Sequence, residues 1–477
     1  MTLWTAQEAS AATEGAVGSD WVASGVSIDT RTLRPGDLFV ALTDVRDGHD
    51  FVGQALEKGA AAALVSRVPD GVATDKLLIV DDVLHALECL GIAARQRTKA
   101  QVIGVTGSVG KTSTKEMLRT VLARQGKVHA AEASYNNHWG VPLTLARMPV
   151  DADFAIIEIG MNHPGEIAPL ARMAQLNLAM ITTVAAAHLE AFDNIDGIAR
   201  EKAAIFDGLL AGGHALLPGD LDVSPILIEH AKTHDVAVHE FGAADHEYCV
   251  KNVQLRNDTT VVQAQIRDIP ILFKLMVAGR HFATNAVAVL AAVDLIGADT
   301  DLAAQDLSLW VPPAGRGTRE VRLLDPIMPE LSFDLIDDAF NANPTSMKAA
   351  LEVLAASTTR DGVGRIEKGR RIAVLGDMLE LGPGEIELHG EIADLPSLEH
   401  LQLVHCVGPR MQALHDRLPL DIRGVWVETA PEIAARANTL IDAGDVVLVK
   451  GSKGSKVSLL VDALRKLSHP QASTDED

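Results

Sequence analysis

Short apolar runs alternate with segments of helical spacing along most of the chain, and turn-forming residues punctuate them. In the first hundred residues this pattern predicts strands over 37–42, 60–66 and 77–80 and helices over 54–59 and 83–97. The polar run Arg95-Gln96-Arg97-Thr98-Lys99 interrupts it and sets a boundary near residue 98. A second unit opens with the apolar run 102–105, a glycine-rich turn, and a helix that gathers Met117, Leu118, Val121 and Leu122 on one face. Buried strands are predicted over 154–159 and 178–184, and alternation of this kind implies a parallel sheet wrapped by helices. From 236 to 273 the period shortens to two, predicting an antiparallel annex, and a helix over 285–295 closes the unit. Pro312-Pro313-Ala314-Gly315 has the composition of a hinge. Beyond it, strands are predicted over 335–336, 372–375, 404–407, 425–427 and 446–449. Helices are predicted there over 347–355, 431–441 and 457–467, with a frayed tail over 473–477.

At 477 residues the chain exceeds what one hydrophobic core supports. The expected architecture is α/β in three domains: a small N-terminal α/β domain over 1–98, a central P-loop-type domain with a mostly parallel sheet over 99–313, and a C-terminal Rossmann-like α/β domain over 314–477. Aromatic residues make up only 4%, and the small aliphatic residues that remain suit buried parallel sheets. The formal net charge of −22, with no Lys/Arg-dense stripe, argues against nucleic-acid binding. It also makes each cation at an anion-handling site more informative. Cys89, Cys249 and Cys406 lie too far apart for a metal knuckle or a disulfide framework. The N-terminus lacks a basic segment followed by a long apolar one, so no signal peptide is expected. The richest apolar stretch, 178–187, is too short to span a bilayer. A soluble, cytoplasmic protein is expected.

The chemistry concentrates first at Gly104-Val105-Thr106-Gly107-Ser108-Val109-Gly110-Lys111-Thr112-Ser113, between a predicted strand and a helix. Glycines let backbone N–H groups approach phosphate, the helix N-terminus favours negative charge, Lys111 can neutralise β/γ-phosphates, and the Thr112 hydroxyl can ligate Mg²⁺. The strict Walker spacing wants glycine at 105, where this chain has valine; even so, Gly-Lys-Thr in this context outweighs an ordinary βα turn. Glu158 and His188 follow other predicted strands at the same sheet edge, where ligands gather. A carboxylate suits Mg²⁺, His is a less usual ligand, and a structural role stays open for each. Lys202, taken alone, is a solvated helix lysine. Asp337-Asp338 ends a strand before Asn341-Ala342-Asn343-Pro344, which is partly helix punctuation, yet two adjacent carboxylates exceed what punctuation requires. Lys450-Gly451-Ser452-Lys453-Gly454 could hold an anion or be a basic turn.

Together these segments resemble the Mur ligase family over nearly the whole chain. Val26-Ser27-Ile28-Asp29-Thr30-Arg31 and 35–42 are similar to its uridine-nucleotide-binding N-terminus, and 106–113 to its own phosphate loop, which accounts for the off-Walker glycines. Asn136-Asn137 with 140–144 resembles a substrate-contacting stretch. The resemblance implies magnesium ligands at Thr112, Glu158 and His188, and a carbamylated Lys202 that would offer an anionic oxygen to a second Mg²⁺. It implies ATP contacts from Gly107 through Ser113, Asn285, Arg316 and Asp338, and substrate contacts at Ser27, Asp29, Arg31, Asn136, Asn137, Asn341, Asn343, Lys450 and Ser452. Lys111, Glu158, His188 and Lys202 would then form the catalytic set. The Asn341–Asn343 segment is most like the branch that adds D-alanyl-D-alanine to a UDP-N-acetylmuramoyl-tripeptide through an acyl phosphate, consuming ATP with Mg²⁺, in peptidoglycan precursor synthesis. The Asp-Asn-Pro-Arg signature of the diamino-acid-adding branch is absent. One departure stands out: the family usually reads His-Asn-x-x-Asn where this chain has His281-Phe282-Ala283-Thr284-Asn285. A monomer is expected. The rival readings are a folylpolyglutamate-type amide ligase and a P-loop switch that uses ATP only to change shape.

Overall fold

Three large sheets follow one another along the chain, besides a two-stranded antiparallel pair of Trp4–Thr5 with Val22–Ala23, in a computed structural model that describes residues 2–243 and 246–471. The tail expected to fray, 473–477, lies outside the described residues. The first sheet has five strands in the order Ala16–Val17, Leu77–Ile79, Ala62–Val65, Asp37–Val40 and Gly25–Ser27, parallel except for the first. Helix Val83–Arg97, capped by the Asp82 carboxylate on the His85 N–H, covers one face through Leu87 and Leu90.

The central sheet has nine strands. Its order is Ile269–Leu275, Thr260–Ile266, Tyr248–Leu255, Ala237–Gly242, Leu209–Pro218, Leu176–Ile181, Gln101–Thr106, Phe154–Glu158 and Val128–Ala130. Period-2 side chains split between two cores. Ile103, Val105, Ile156, Leu178 and Met180 pack against helices Lys111–Leu122 and Arg280–Leu295. Val102, Ile157, Ala179 and Ile181 face helices Ile167–Ala174, Ile195–Ala203 and Ser224–Ala231. Burial on both faces explains why these strands are unbroken apolar runs.

The expected antiparallel annex exists, but it is not separate. Ala237–Gly242 and Tyr248–Leu255 continue the parallel sheet, and antiparallel pairing begins only with the next two strands. The backbone hydrogen bonds of an edge strand are the cheapest place to satisfy those of the next. Strand Leu209–Pro218 lacks a clear period in the sequence, because Gly212-Gly213 interrupts its apolar run.

The C-terminal sheet runs Arg423–Val427, Leu403–Val407, Arg371–Gly376, Val446–Lys450, Ser332–Asp338, Thr318–Leu323 and His469–Pro470, the first five parallel. The helix expected over 431–441 is two short ones, Ala430–Ala434 and Ala437–Leu440, with an i→i+3 bond from the Arg436 N–H to the Ile433 carbonyl tightening the turn between them.

Candidate active site

The central strands end level with one another: Glu158 pairs in register with Val105, and Ile181 with Thr106. Everything just beyond those positions faces one edge, as the crossover topology of a parallel sheet requires. The loop 107–110 is bent by two glycines with positive φ, Gly107 at 151° and Gly110 at 89°. A Cβ on Gly107 would sit 1.9 Å from the Thr182 hydroxyl oxygen. The loop is tied to the segment after strand Leu176–Ile181. The Ser108 N–H donates to the Thr183 carbonyl (2.8 Å), the Ser108 hydroxyl to the Ala185 carbonyl (3.0 Å), and the Thr182 hydroxyl to the Val109 carbonyl (2.6 Å). Gly107→Ala should therefore strain the loop by about 1–3 kcal/mol, lowering kcat/KM for ATP by about 10- to 100-fold in a steady-state assay while the rest of the fold is retained.

Lys111 opens helix Lys111–Leu122 and folds back so that its ammonium donates to the Gly107 carbonyl (2.7 Å). Burial pushes its pKa down, Glu158 opposes the shift, and Arg316 adds to it. The Thr112 hydroxyl donates to Glu158 Oε1 at 3.0 Å, and the Asn136 amide donates to the same oxygen at 2.8 Å. Glu158 Oε2 is buried with no hydrogen-bond partner among the described residues. An orphaned buried carboxylate oxygen is costly unless a cation or donor meets it, so the donor set fits a hard cation such as Mg²⁺.

Ser134, which no pattern in the sequence singled out, joins two sides of the site. It lies 3.0 Å from the Thr112 hydroxyl and accepts from Arg316 Nη2 at 3.1 Å. It sits in a loop without punctuation, and only its neighbours in space reveal it. Arg316 is set by the left-handed Gly315 (φ 72°) and stacks 4.1 Å over the Phe340 ring. Lys450 is buried and donates to Asp338 Oδ2 (2.8 Å) and to the Asn341 carbonyl (2.9 Å). Burial raises the Asp338 pKa, against the pull of Lys450 and Arg316.

Lys111, Thr112, Glu158, Asn136, Asn137, His188, Asn285, Arg316, Asp338, Asn341, Asn343 and Lys450 all line one cavity of about 920 Å³. Several of these side chains are already engaged. The Asn137 carbonyl oxygen accepts from the Gly140 N–H, and that of Asn343 caps helix Pro344–Ala356 through the Ser346 N–H. His188, in the loop after strand Leu176–Ile181, has a left-handed φ of 59° and pairs through Nδ1 with Glu380 of the C-terminal unit at 2.7 Å. Phe282 packs edge-on against Trp310 and lines the cavity, so the wall where the family has an amide is aromatic here. The adjacent His281 ring is driven by burial to a pKa of about 4, hence neutral at physiological pH.

Lys202 does not line the cavity. It lies on helix Ile195–Ala203, is 2% exposed, and its ammonium has no hydrogen-bond or ion-pair partner among the described residues. Burial and the nearby Lys111 cation hold its pKa well below the usual lysine value. That is not the solvated lysine the residues alone suggested.

Asp29 and Arg31 line a second cavity of about 730 Å³, together with Arg46, His49 and Phe51, and pair there at 2.5 Å. His138 borders both cavities. Ser27 and Ser452 lie beneath the two walls: the Ser27 hydroxyl donates to the Asp29 carbonyl (3.1 Å), and the Ser452 hydroxyl accepts from the Leu379 N–H (3.0 Å).

The chain is similar to known proteins along most of its length. Residues 22–132 match the "Mur ligase family, catalytic domain", 105–293 the "Mur ligase middle domain", and 327–453 the "Mur ligase, glutamate ligase domain". The chain is 34% identical to the UDP-N-acetylmuramoyl-tripeptide–D-alanyl-D-alanine ligase of Bacillus subtilis (strain 168), over 92% of this chain and 93% of that one. The structure of MurF from Acinetobacter baumannii superposes with a TM-score of 0.81 at 28% identity, covering 97% of this chain and 99% of that one. That of MurF ligase from Thermotoga maritima in complex with ADP gives 0.75 at 26% identity, covering 93% and 97%. Sharing its three family segments and its full-length relatives, the chain belongs to the Mur ligase family.

Proposed function

We propose that this chain is an ATP-dependent amide ligase that joins D-alanyl-D-alanine to a UDP-N-acetylmuramoyl-tripeptide in peptidoglycan precursor synthesis. The observation that carries the reading is one cavity in which the phosphate loop, Glu158 with its orphaned oxygen, and the cations Arg316 and Lys450 meet. The full-length likeness to ligases of that name supplies the substrate class.

A carboxylate is a poor electrophile because oxide would have to leave. Transfer of the γ-phosphoryl of ATP makes a bond from the tripeptide's terminal carboxylate oxygen to phosphorus and breaks the bond to the β-phosphate oxygen, releasing ADP. The amine of the dipeptide then attacks the carbonyl carbon of this acyl phosphate. The tetrahedral intermediate collapses with loss of inorganic phosphate and of the amine proton. Phosphoryl transfer needs mainly positioning and charge neutralisation. Lys111 and the backbone N–H groups of 107–113 would hold the β- and γ-phosphates, and Arg316 would face the transferred group. Thr112 and Glu158, joined by His188 and a carbamylated Lys202, would hold Mg²⁺, which when bound offsets triphosphate charge. A partnerless buried lysine with a depressed pKa has more neutral amine available to add CO₂. In that addition the nitrogen bonds carbon and sheds a proton, leaving an anionic carbamate.

The units would divide the work as expected: 1–98 for the uridine nucleotide, 99–313 for ATP, and 314–477 for closure and the dipeptide. The second cavity, with Arg31 and Arg46, suits a nucleoside diphosphate, and its meeting with the first at His138 suits an elongated substrate. The N-terminus of helix Pro344–Ala356, with Asn343, Thr345 and Ser346 on the cavity wall, suits the dipeptide carboxylate. No helix among the described residues is long and apolar enough to cross a membrane.

The test is a mass spectrum of the product formed from ATP, D-alanyl-D-alanine and the UDP-tripeptide, in both its diaminopimelate and its lysine form. The expected product has the combined mass of the two substrates less one water, with one phosphate released per bond. ATP hydrolysis indifferent to the dipeptide would overturn the reading in favour of a switch. Product formed with glutamate instead would favour a folylpolyglutamate-type ligase.

A further inference from the structure

Away from the cavity, side chains from two elements converge on a point that the proposed reaction does not use. His230 sits in the last turn of helix Ser224–Ala231, and His234 lies four residues on, in the turn that continues it, so both rings share a face. Asp207 belongs to the 3₁₀ segment Ala204–Gly208 opposite. Its Oδ1 is 2.8 Å from His230 Nε2 and 3.2 Å from His234 Nε2, and all three ligand atoms lie within 4.8 Å of one another. Donors held about 2.0–2.1 Å from a zinc-like ion stand about 2.9–3.4 Å apart along the edges of an octahedron or tetrahedron, which these spacings approximate. Arg172 Nη2 holds the other oxygen, Oδ2, at 2.7 Å, so Oδ1 is aimed at the two imidazoles, the kind of outer support that ligating carboxylates have. The imidazole side chains are about one third exposed (32% and 33%), leaving room for water at further positions.

We propose that Asp207, His230 and His234 form a binding site for one divalent transition-metal ion of the zinc class. Two imidazoles with a single carboxylate favour Zn²⁺, Co²⁺ or Ni²⁺ over Mg²⁺, which prefers oxygen ligands. The ion clamps helix Ser224–Ala231 to the 3₁₀ segment that directly continues helix Ile195–Ala203, the helix that carries Lys202. It therefore stiffens the support beneath Lys202 without touching the cavity. The site rests on this geometry alone and stands whether or not the ligase reading does.

The test is titration of the full chain with Co²⁺ and Zn²⁺, comparing the wild type with His234→Gln and with the double variant His230→Gln/His234→Gln. The wild type is expected to bind one equivalent more than either variant, to show Co²⁺ d–d absorption that the variants lose, and to gain thermal stability with Zn²⁺ that they do not. Magnesium-supported turnover and the melting temperature in chelator should stay unchanged in His234→Gln. Equal stoichiometry, with the same Co²⁺ spectrum in wild type and His234→Gln, overturns the proposal. If the double variant does not fold, the single one decides.

Discussion

Lys111→Ala is expected to lower turnover by roughly 10³-fold or more, without loss of stability. Three buried cations, Lys111, Lys202 and Arg316, lie near the edge of the central sheet, where Glu158 faces Lys111 and Arg316, Asp338 also faces Arg316, and Glu201 faces Lys202. Burial holds all three below their usual pKa, so each is less comfortable as a cation in the fold than in water. Desolvated cations gathered at one sheet edge, in a chain of net charge −22, favour an anionic ligand there. Removing the Lys111 ammonium should therefore abolish stabilisation of the transferring phosphoryl group. The sign for stability runs the other way. A lysine whose folded pKa lies below its unfolded value disfavours folding at neutral pH, so its loss should leave the melting temperature unchanged or raise it. Phosphate release and thermal unfolding measured on one preparation separate the two effects. Near-normal turnover would remove the loop from the chemistry.

The second large effect is expected at Lys202. Lys202→Ala should lose about 10²–10³ in rate and regain part of it when acetate or formate is added. As an ammonium, Lys202 would add repulsion beside Lys111, against which Glu201 is the smaller, opposing influence. As a carbamate it would reverse that sign and supply the anionic oxygen that a short carboxylate could replace in the shortened side chain. Lys202→Met tests the same point from the other side, since it keeps the bulk and removes the nitrogen. It should be as inactive as alanine, and less open to rescue because no space is vacated. Full activity of either variant without added carboxylate would exclude the carbamate.

Several features were legible because they are local. The phosphate loop is a strand, a glycine turn and a helix start in consecutive residues, and its glycines have the positive φ that only such residues tolerate well. Glu158 could be placed at the sheet edge because an unbroken apolar run must be a buried strand and parallel strands end on one side. Helix Val83–Arg97 matched to the residue, since Asp82 is a strong cap and Thr98 ends the apolar period.

Other features have no local signature. Ser134 matters because two chain segments meet over it, Lys202 because its surroundings exclude water, and Asp207 because two histidines of another element lie within reach. His188 was placed near the edge, but its contact with Glu380 depends on how the C-terminal unit packs against the central one. The order of residues along this chain located most of the parallel strands, though not Leu209–Pro218, as well as the glycine-rich loop proposed to hold phosphate and the recurring family motifs. Only the folded arrangement decided which charges are desolvated together, which carboxylate oxygen is left without a partner, and which asparagines are already spent on caps. Periodicity and capping act over a few residues and are written in sequence, whereas burial and electrostatic coupling depend on distances through space.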